Sequence, residues 1–452
     1  MKKDLRFMML VSAVAVFAGT LFYFYYLDKP LTGDATQYDK LGWNLAQGNG
    51  YSLSESGPYE PTMLRDPAYP FFLACVYTVF GHKIFIVYII QILLFSLTSV
   101  LFYLIARGIL DERSARYSSL FIACCPTLAN YSTLLYSESF FIFLLALSIY
   151  FFIRTGSGKK DARYFVVSAV LLGFTVLCKT IMVFFFIFYL IFIYLNSGTG
   201  SLRGFLRSYS LRIVLFLLVF VVTVAPWVIR NKYVFGVSNF NYSGSTVLLA
   251  RAQRSNYPYE KKKAEITYIF SEYLGSRLYP DTFHTPKDAV LGEPYLMKEE
   301  IERLQQEGFS PAETKRILEK EARDMIKSHP FRFIFNTPVE FLRLMGFMYI
   351  PALNYTDILD KAKESRSFAF TLASIKGAYR LTAYPLVFLA VFGICLSGKE
   401  WRRNFMAIAP ILYINGMYCV LSGYPRYSVP LIPFYLMFAA SGFLDSRKRR
   451  MA

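Results

Sequence analysis

Ten runs of this chain are apolar enough to lie inside a bilayer: roughly 7–27, 84–106, 117–130, 138–153, 164–178, 181–195, 213–229, 380–396, 404–422 and 427–443. No other feature constrains the fold as strongly. Hydrocarbon offers backbone N–H and C=O groups no partner, so a span must be a helix of about 20 residues or part of a closed barrel. The runs are continuous rather than alternating, which selects helices. With 55% hydrophobic residues and a mean hydropathy of +0.37, the 452-residue chain lies far from soluble composition. The expected fold class is all-α polytopic membrane protein. The first run ends in Tyr23-Phe24-Tyr25-Tyr26 rather than the small residues of a cleavage site, so it is read as a retained anchor.

The net charge of +18 would suit a nucleic-acid binder if it were clustered on one surface. Instead, 20 Lys and Arg residues fall in six segments, 1–6, 107–116, 154–163, 196–212, 397–403 and 444–452, all on one side of the expected membrane. The short loops 131–137 and 423–427 on the other side hold only Arg426. This is the positive-inside bias. It predicts both termini in the cytoplasm, a cytoplasmic (inner) membrane location and no nucleic-acid partner. The six cysteines (Cys75, Cys124, Cys125, Cys178, Cys395, Cys419) lie in or beside apolar runs without metal-ligand spacing.

Three parts follow. Residues 1–229 form an N-terminal transmembrane module with a first outer loop at 28–83. Residues 230–379, with 22 basic and 18 acidic residues, read as an outer-face domain. Residues 380–452 supply the last spans. Within the middle part, a helix over 297–307 should end at Gly308. Ser310, Pro311 and Glu313 should start the next as a capping box. The stretch "FRFIFNTPVEFLRLMGFMYIP" (331–351) carries Arg332, Glu340 and Arg343, and each would cost about 2.5 to 3.5 kcal/mol at the centre of a span. It reads as an amphipathic helix on the membrane surface.

Carboxylates and cations gather at the expected outer face. Asp34 opens "GDATQYDKLGWNLAQGNGYS", seven residues after the first run; it can cap a short juxtamembrane helix or act as a general base, and spacing leaves both open. Glu138 opens the fourth run, where an acid also complements the helix dipole. Asp39 and Asp66 share the region, with Asp39 expected on the exposed side of its helix. Arg65 in "LRDPAYP", Lys179 in "LCKTIM", Arg230 in "APWVIRNKYVFG" and Arg426 beside Tyr427 in "YPRYSVPLIP" sit where basic residues are depleted. Each alone can be an interfacial anchor; together they suit phosphate oxygens.

The chain here resembles the GT-C glycosyltransferases, in the branch of protein O-mannosyltransferases and bacterial aminoarabinose transferases. The likeness rests on "GDATQYDKLGWNLAQGNGYS", "RDPAYPFFLACVYTVFG", "SESFFIFLLALSIYFF", "APWVIRNKYVFG", "EARDMIKSHPFRF" and "YPRYSVPLIPFYLMFAASG". It implies a GT-C-type fold with about ten transmembrane helices, juxtamembrane helices in the first outer loop and a mostly helical outer domain. It also implies inverting transfer of a sugar from a polyprenyl-phosphate donor to a hydroxyl of a glycan, lipid or protein acceptor. Asp34 would be the general base and Glu138 the second acid. Arg65, Lys179, Arg230, Arg426 and Tyr427 would hold the donor phosphate. Part of the family uses a divalent metal (Mg or Mn). Here Ala35 follows Asp34 where paired acids are common, leaving Asp34, Glu138 and His284 as metal candidates and no certain cofactor. A lipid-linked glycan polymerase or ligase is an alternative, as is a lipid or sugar transporter or flippase. A transporter would favour charges in mid-span and inverted repeats, neither of which the sequence displays.

Overall fold

The computed structural model describes residues 2–155, 162–199, 201–241, 243–283, 300–301, 303–304, 306–352 and 365–451. His284 lies outside them. Among the described residues the chain is helical with no strand; Ser52 and Pro61 form an isolated bridge. Seven helices among the described residues are long and apolar enough to cross a membrane: Lys2–Tyr26, Ile84–Ile109, Glu138–Thr155, Leu202–Phe235, Phe370–Leu396, Trp401–Leu421 and Pro425–Leu444. Ala68–Phe80, Arg163–Cys178 and Thr180–Asn196 are shorter apolar helices. The expected run 117–130 is corrected. It is two short helices, Glu112–Ala123 and Pro126–Tyr131, because Pro126 has no N–H to continue a helix and instead opens a new one.

The chain forms two compact units: Met1–Arg230 with Leu386–Tyr413 and Pro430–Ala452, and Asn231–Pro385 with Ile414–Val429. In the first unit, α1 (Lys2–Tyr26) packs on α4 (Ile84–Ile109) and α5 (Glu112–Ala123), with α2 (Asp34–Ala46) on α3 (Ala68–Phe80) between them in sequence. After α6 (Pro126–Tyr131), α7 (Glu138–Thr155) packs on α4 and α8 (Ala162–Cys178). Small residues allow this closeness where water cannot drive it. Ser148 and Ser168 each donate a hydroxyl hydrogen bond of 2.9 Å to the other's carbonyl across α7 and α8. A side chain on Gly393 would place its Cβ 2.1 Å from the Phe438 carbonyl oxygen, so two backbones touch there.

The second unit includes helices Ser243–Ser255, Tyr259–Phe270, Pro311–Ser328, Pro330–Phe335, Thr337–Leu344 and Arg366–Leu381. Gly308 has φ +88°, and Ser310 with Glu313 forms the expected capping box. Leu249, Leu304, Leu318 and Ala322 close an apolar core between the first and third of these helices.

The 331–351 stretch departs from its surface-helix reading. Asn336 breaks it, and it exposes large apolar side chains: Phe331, Ile334 and Phe335 are 72%, 60% and 76% exposed, and Phe341 39%. Glu340 and Arg343 are fully buried. Arg254 donates to Glu340 through Nε (3.2 Å) and Nη2 (3.0 Å), while Gly423 N–H donates at 2.6 Å. Arg254 also reaches Ser422 Oγ at 2.5 Å, and Arg343 Nε reaches Glu265 Oε1 at 3.0 Å. The charges turn inward because each finds an opposite charge there.

Candidate functional site

Gly33, at φ +60°, takes the cap position of α2, and Asp34 is its first helical residue. Ala35, Tyr38, Leu41 and Gly42 face inward; a Cβ on Gly42 would sit 2.6 Å from Leu73 Cβ, so α2 and α3 are in close contact. The Asp34 carboxylate is turned to the Arg65 guanidinium, and the two side chains are 30% and 22% exposed. Arg65 Nε donates to Gln37 Oε1 at 2.8 Å, and its guanidinium lies 5.4 Å from the Tyr38 ring centre. One arginine thus grips the first turn of α2 at two positions.

The loop carrying Arg65 is held from behind. Tyr51 donates its hydroxyl hydrogen bond to the Arg65 carbonyl at 2.9 Å. Burial, with Tyr38 and Asp66 nearby, pushes that hydroxyl well above the ordinary value of 10, so it stays a donor at physiological pH. The Tyr51 ring meets Trp227 edge-on at 4.8 Å. The Arg230 guanidinium lies 4.7 Å from Trp227 and 5.5 Å from Tyr51, and donates to the Thr62 carbonyl at 2.8 Å.

Asp66 reaches the other way. Its Oδ2 accepts the Thr180 backbone N–H at 3.1 Å, and its Oδ1 accepts the Thr180 hydroxyl. The preceding residue, Lys179, pairs with the fully buried Glu138 at 3.0 Å. Asp34, Arg65, Glu138, Lys179 and Arg230, from five separate stretches, therefore belong to one network inside the first unit. Arg426 and Tyr427 belong to the second unit, in the turn Pro425–Leu431; there Tyr427 stacks on Tyr418 at 4.4 Å and 15°.

Two parts of this network were not singled out from sequence: Tyr51 and the Asp66 link to Thr180. Asp39 was misplaced. Its side chain is 14% exposed, accepts the Tyr77 hydroxyl at 2.6 Å and pairs with His82 Nε2 at 2.9 Å. The signal was the length of α3, which brings the two ends of "AYPFFLACVYTVFGH" back along α2.

Among the described residues the donor set does not fit a divalent ion. Asp34 and Glu138 are each engaged by a cationic side chain, and among the described residues no three His, Cys, Asp or Glu side chains gather to hold a metal.

Residues 60–228 match the family described as dolichyl-phosphate-mannose-protein mannosyltransferase. No curated protein sequence matches the chain significantly. Among solved structures it is similar to the archaeal oligosaccharyltransferase AglB from Archaeoglobus fulgidus, in complex with an inhibitory peptide and a dolichol-phosphate. The TM-score is 0.52 at 14% identity, covering 99% of this chain and 50% of that one. The apo form of the Archaeoglobus fulgidus oligosaccharyltransferase gives 0.51 at 14% identity, covering 99% and 51%. ArnT from Cupriavidus metallidurans bound to undecaprenyl phosphate gives 0.48 at 12% identity, covering 96% and 59%. The chain spans about half the length of the first of these structures.

Proposed function

We propose that the chain is a membrane glycosyltransferase of the GT-C superfamily that moves a sugar from a polyprenyl-phosphate donor to an acceptor hydroxyl at the outer face of the membrane, with inversion. The observation that carries this reading is the single network joining Asp34 and Glu138 to Arg65, Lys179 and Arg230. The matched family's description names a dolichyl-phosphate sugar, and AglB was solved with a dolichol-phosphate; a lipid-phosphate donor suits these cations.

In the proposed reaction the acceptor oxygen attacks the anomeric carbon from the face opposite the phosphate. Asp34 takes the acceptor's proton as the new C–O bond forms. The old C–O bond breaks, and its electron pair leaves on the lipid phosphate. The growing negative charge there meets the fixed positive charges of Lys179 and Arg230. Arg65 has a double part. With no donor bound it holds the Asp34 carboxylate; an arriving phosphate offers it a second anion and releases Asp34 toward the acceptor. Glu138 holds Lys179 in place.

The reading is tested by supplying the purified enzyme in nanodiscs with polyprenyl-phosphate sugars and measuring released polyprenyl phosphate. No release with any sugar, alongside no change in the glycolipids of a deletion strain, would defeat it. Arg230→Ala should weaken donor use about ten- to a hundredfold, the worth of a charge-assisted hydrogen bond. Arg230→Lys should remain impaired, because an ammonium cannot reproduce the guanidinium fork. Normal activity per folded molecule in both would leave Arg230 as a membrane anchor.

Both termini are proposed to be cytoplasmic and the membrane to be the inner one. Reporter fusions near 112, 160, 205 and 400 should then report cytoplasm, and those near 55 and 300 the outside. A cytoplasmic signal at 300 would rule out a donor at the outer face.

A further inference from the structure

The break between α8 and the following 3-10 turn, Thr180–Phe184, is an odd place to hold a lysine. Lys179 occupies the cap position of that turn with extended backbone, φ −146° and ψ 103°, and makes no side-chain capping bond. A helical start leaves N–H groups in need of acceptors. An ammonium group has none to offer. The acceptor comes from 114 positions earlier in the chain: Asp66, whose two oxygens take the Thr180 N–H and hydroxyl.

We infer that Asp66 is a positioning residue that sets Lys179 toward the donor phosphate by capping the Thr180–Phe184 turn from the first loop. The inference rests on the phosphate-binding role proposed for Lys179. Asp66 is poorly placed to be a base, since both of its oxygens are engaged by Thr180. Its own position is fixed, because Tyr51 holds the Arg65 carbonyl at 2.9 Å and the Asp66 carbonyl at 3.4 Å. The adjacent pair Arg65-Asp66 thus serves both ends of the proposed reaction. Arg65 aims at the carboxylate that receives a proton, and Asp66 fixes the strand of chain bearing the cation that receives the leaving charge. Lys179 reaches Glu138 at 3.0 Å from this capped break, so its ammonium is restrained at both its root and its tip.

The test is a double-mutant cycle on undecaprenyl phosphate binding by the full chain in nanodiscs. Lys179→Ala should weaken binding about ten- to a hundredfold. Asp66→Ala should weaken it about fivefold or more, and the double variant should be no weaker than Lys179→Ala alone, because the two losses are one loss. Asp66→Asn keeps an acceptor oxygen for the Thr180 N–H and should recover part of the affinity. Thr180→Val, which removes only the hydroxyl, supplies a milder variant should Asp66→Ala fold poorly; it should weaken binding when Lys179 is present and not when Lys179 is Ala. A merely structural Asp66 gives losses that multiply with Lys179→Ala, and that result overturns the inference while the donor reading stands. Unchanged binding in Lys179→Ala overturns the donor reading itself and the inference with it.

Discussion

Replacing Asp34 by Asn is expected to lower sugar transfer about 100- to 10,000-fold, the usual effect of removing a general base. Undecaprenyl phosphate affinity and thermal stability should stay near those of the wild type. Asn keeps the shape of the side chain and still accepts a hydrogen bond from Arg65, so a role confined to holding Arg65 predicts almost no change. The lost ion pair is partly exposed, and such pairs contribute about 0.2 to 1 kcal/mol. That is too small to unfold the loop and too small to explain a hundredfold loss. Single-turnover transfer measured beside melting temperature separates the cases. Wild-type turnover in Asp34→Asn would end its assignment as the base.

The second large effect lies in the second unit. Glu340→Ala should destabilise it by about 3 to 5 kcal/mol, because Arg254, with Arg251 at 3.9 Å, would be left buried without the carboxylate. Cys419, buried in the same unit, reports the change: its modification by a thiol reagent should speed up markedly in the variant. An unchanged rate would mean that water or a rearranged side chain replaces Glu340. The pair also sets a pH dependence. Burial would raise the Glu340 carboxyl, but the guanidinium groups of Arg254 and then Arg343 outweigh it and hold the group below its ordinary value of 4.5. A carboxyl lowered by folding stabilises fully above about pH 4.5, and that contribution is lost as pH falls through the lower folded value. Cys419 labelling by a pyridyl disulfide, taken relative to a free thiol at the same pH, should therefore accelerate on acidification below pH 4.5, and less so in Glu340→Ala.

The residue pattern disclosed the helices because bilayer burial leaves a local signature: length and apolarity are readable run by run. Pro126 was equally readable, and it marks where the run 117–130 divides. The sites were legible as types of residue at the expected outer face, since Asp34, Arg65, Lys179 and Arg230 stand out against an apolar background. Their pairing was not. Arg65 meets Asp34 across 31 positions and Lys179 meets Glu138 across 41, and nothing periodic links such distances. Asp66 was harder still, because one of its bonds goes to a backbone N–H, which every residue but proline has. Glu340 and Arg343 misled for the same reason. Charges in an apolar stretch point to water unless partners are known, and theirs lie 86 and 78 positions upstream.

The order of synthesis gives the Gly423 contact a further meaning. A ribosome that has reached residue 413 has made Arg254, Glu265, Glu340 and Arg343 but neither Ser422 nor Gly423. Glu340 waits 83 positions for the Gly423 N–H, about 4 to 17 s at ordinary elongation rates. Nor can a bulkier residue stand in, since a Cβ on Gly423 would lie 2.2 Å from the Glu340 carbonyl oxygen. Nascent chains released before this glycine emerges carry a charged interior that has not closed. Completion of the second unit is thereby tied to translation through Gly423.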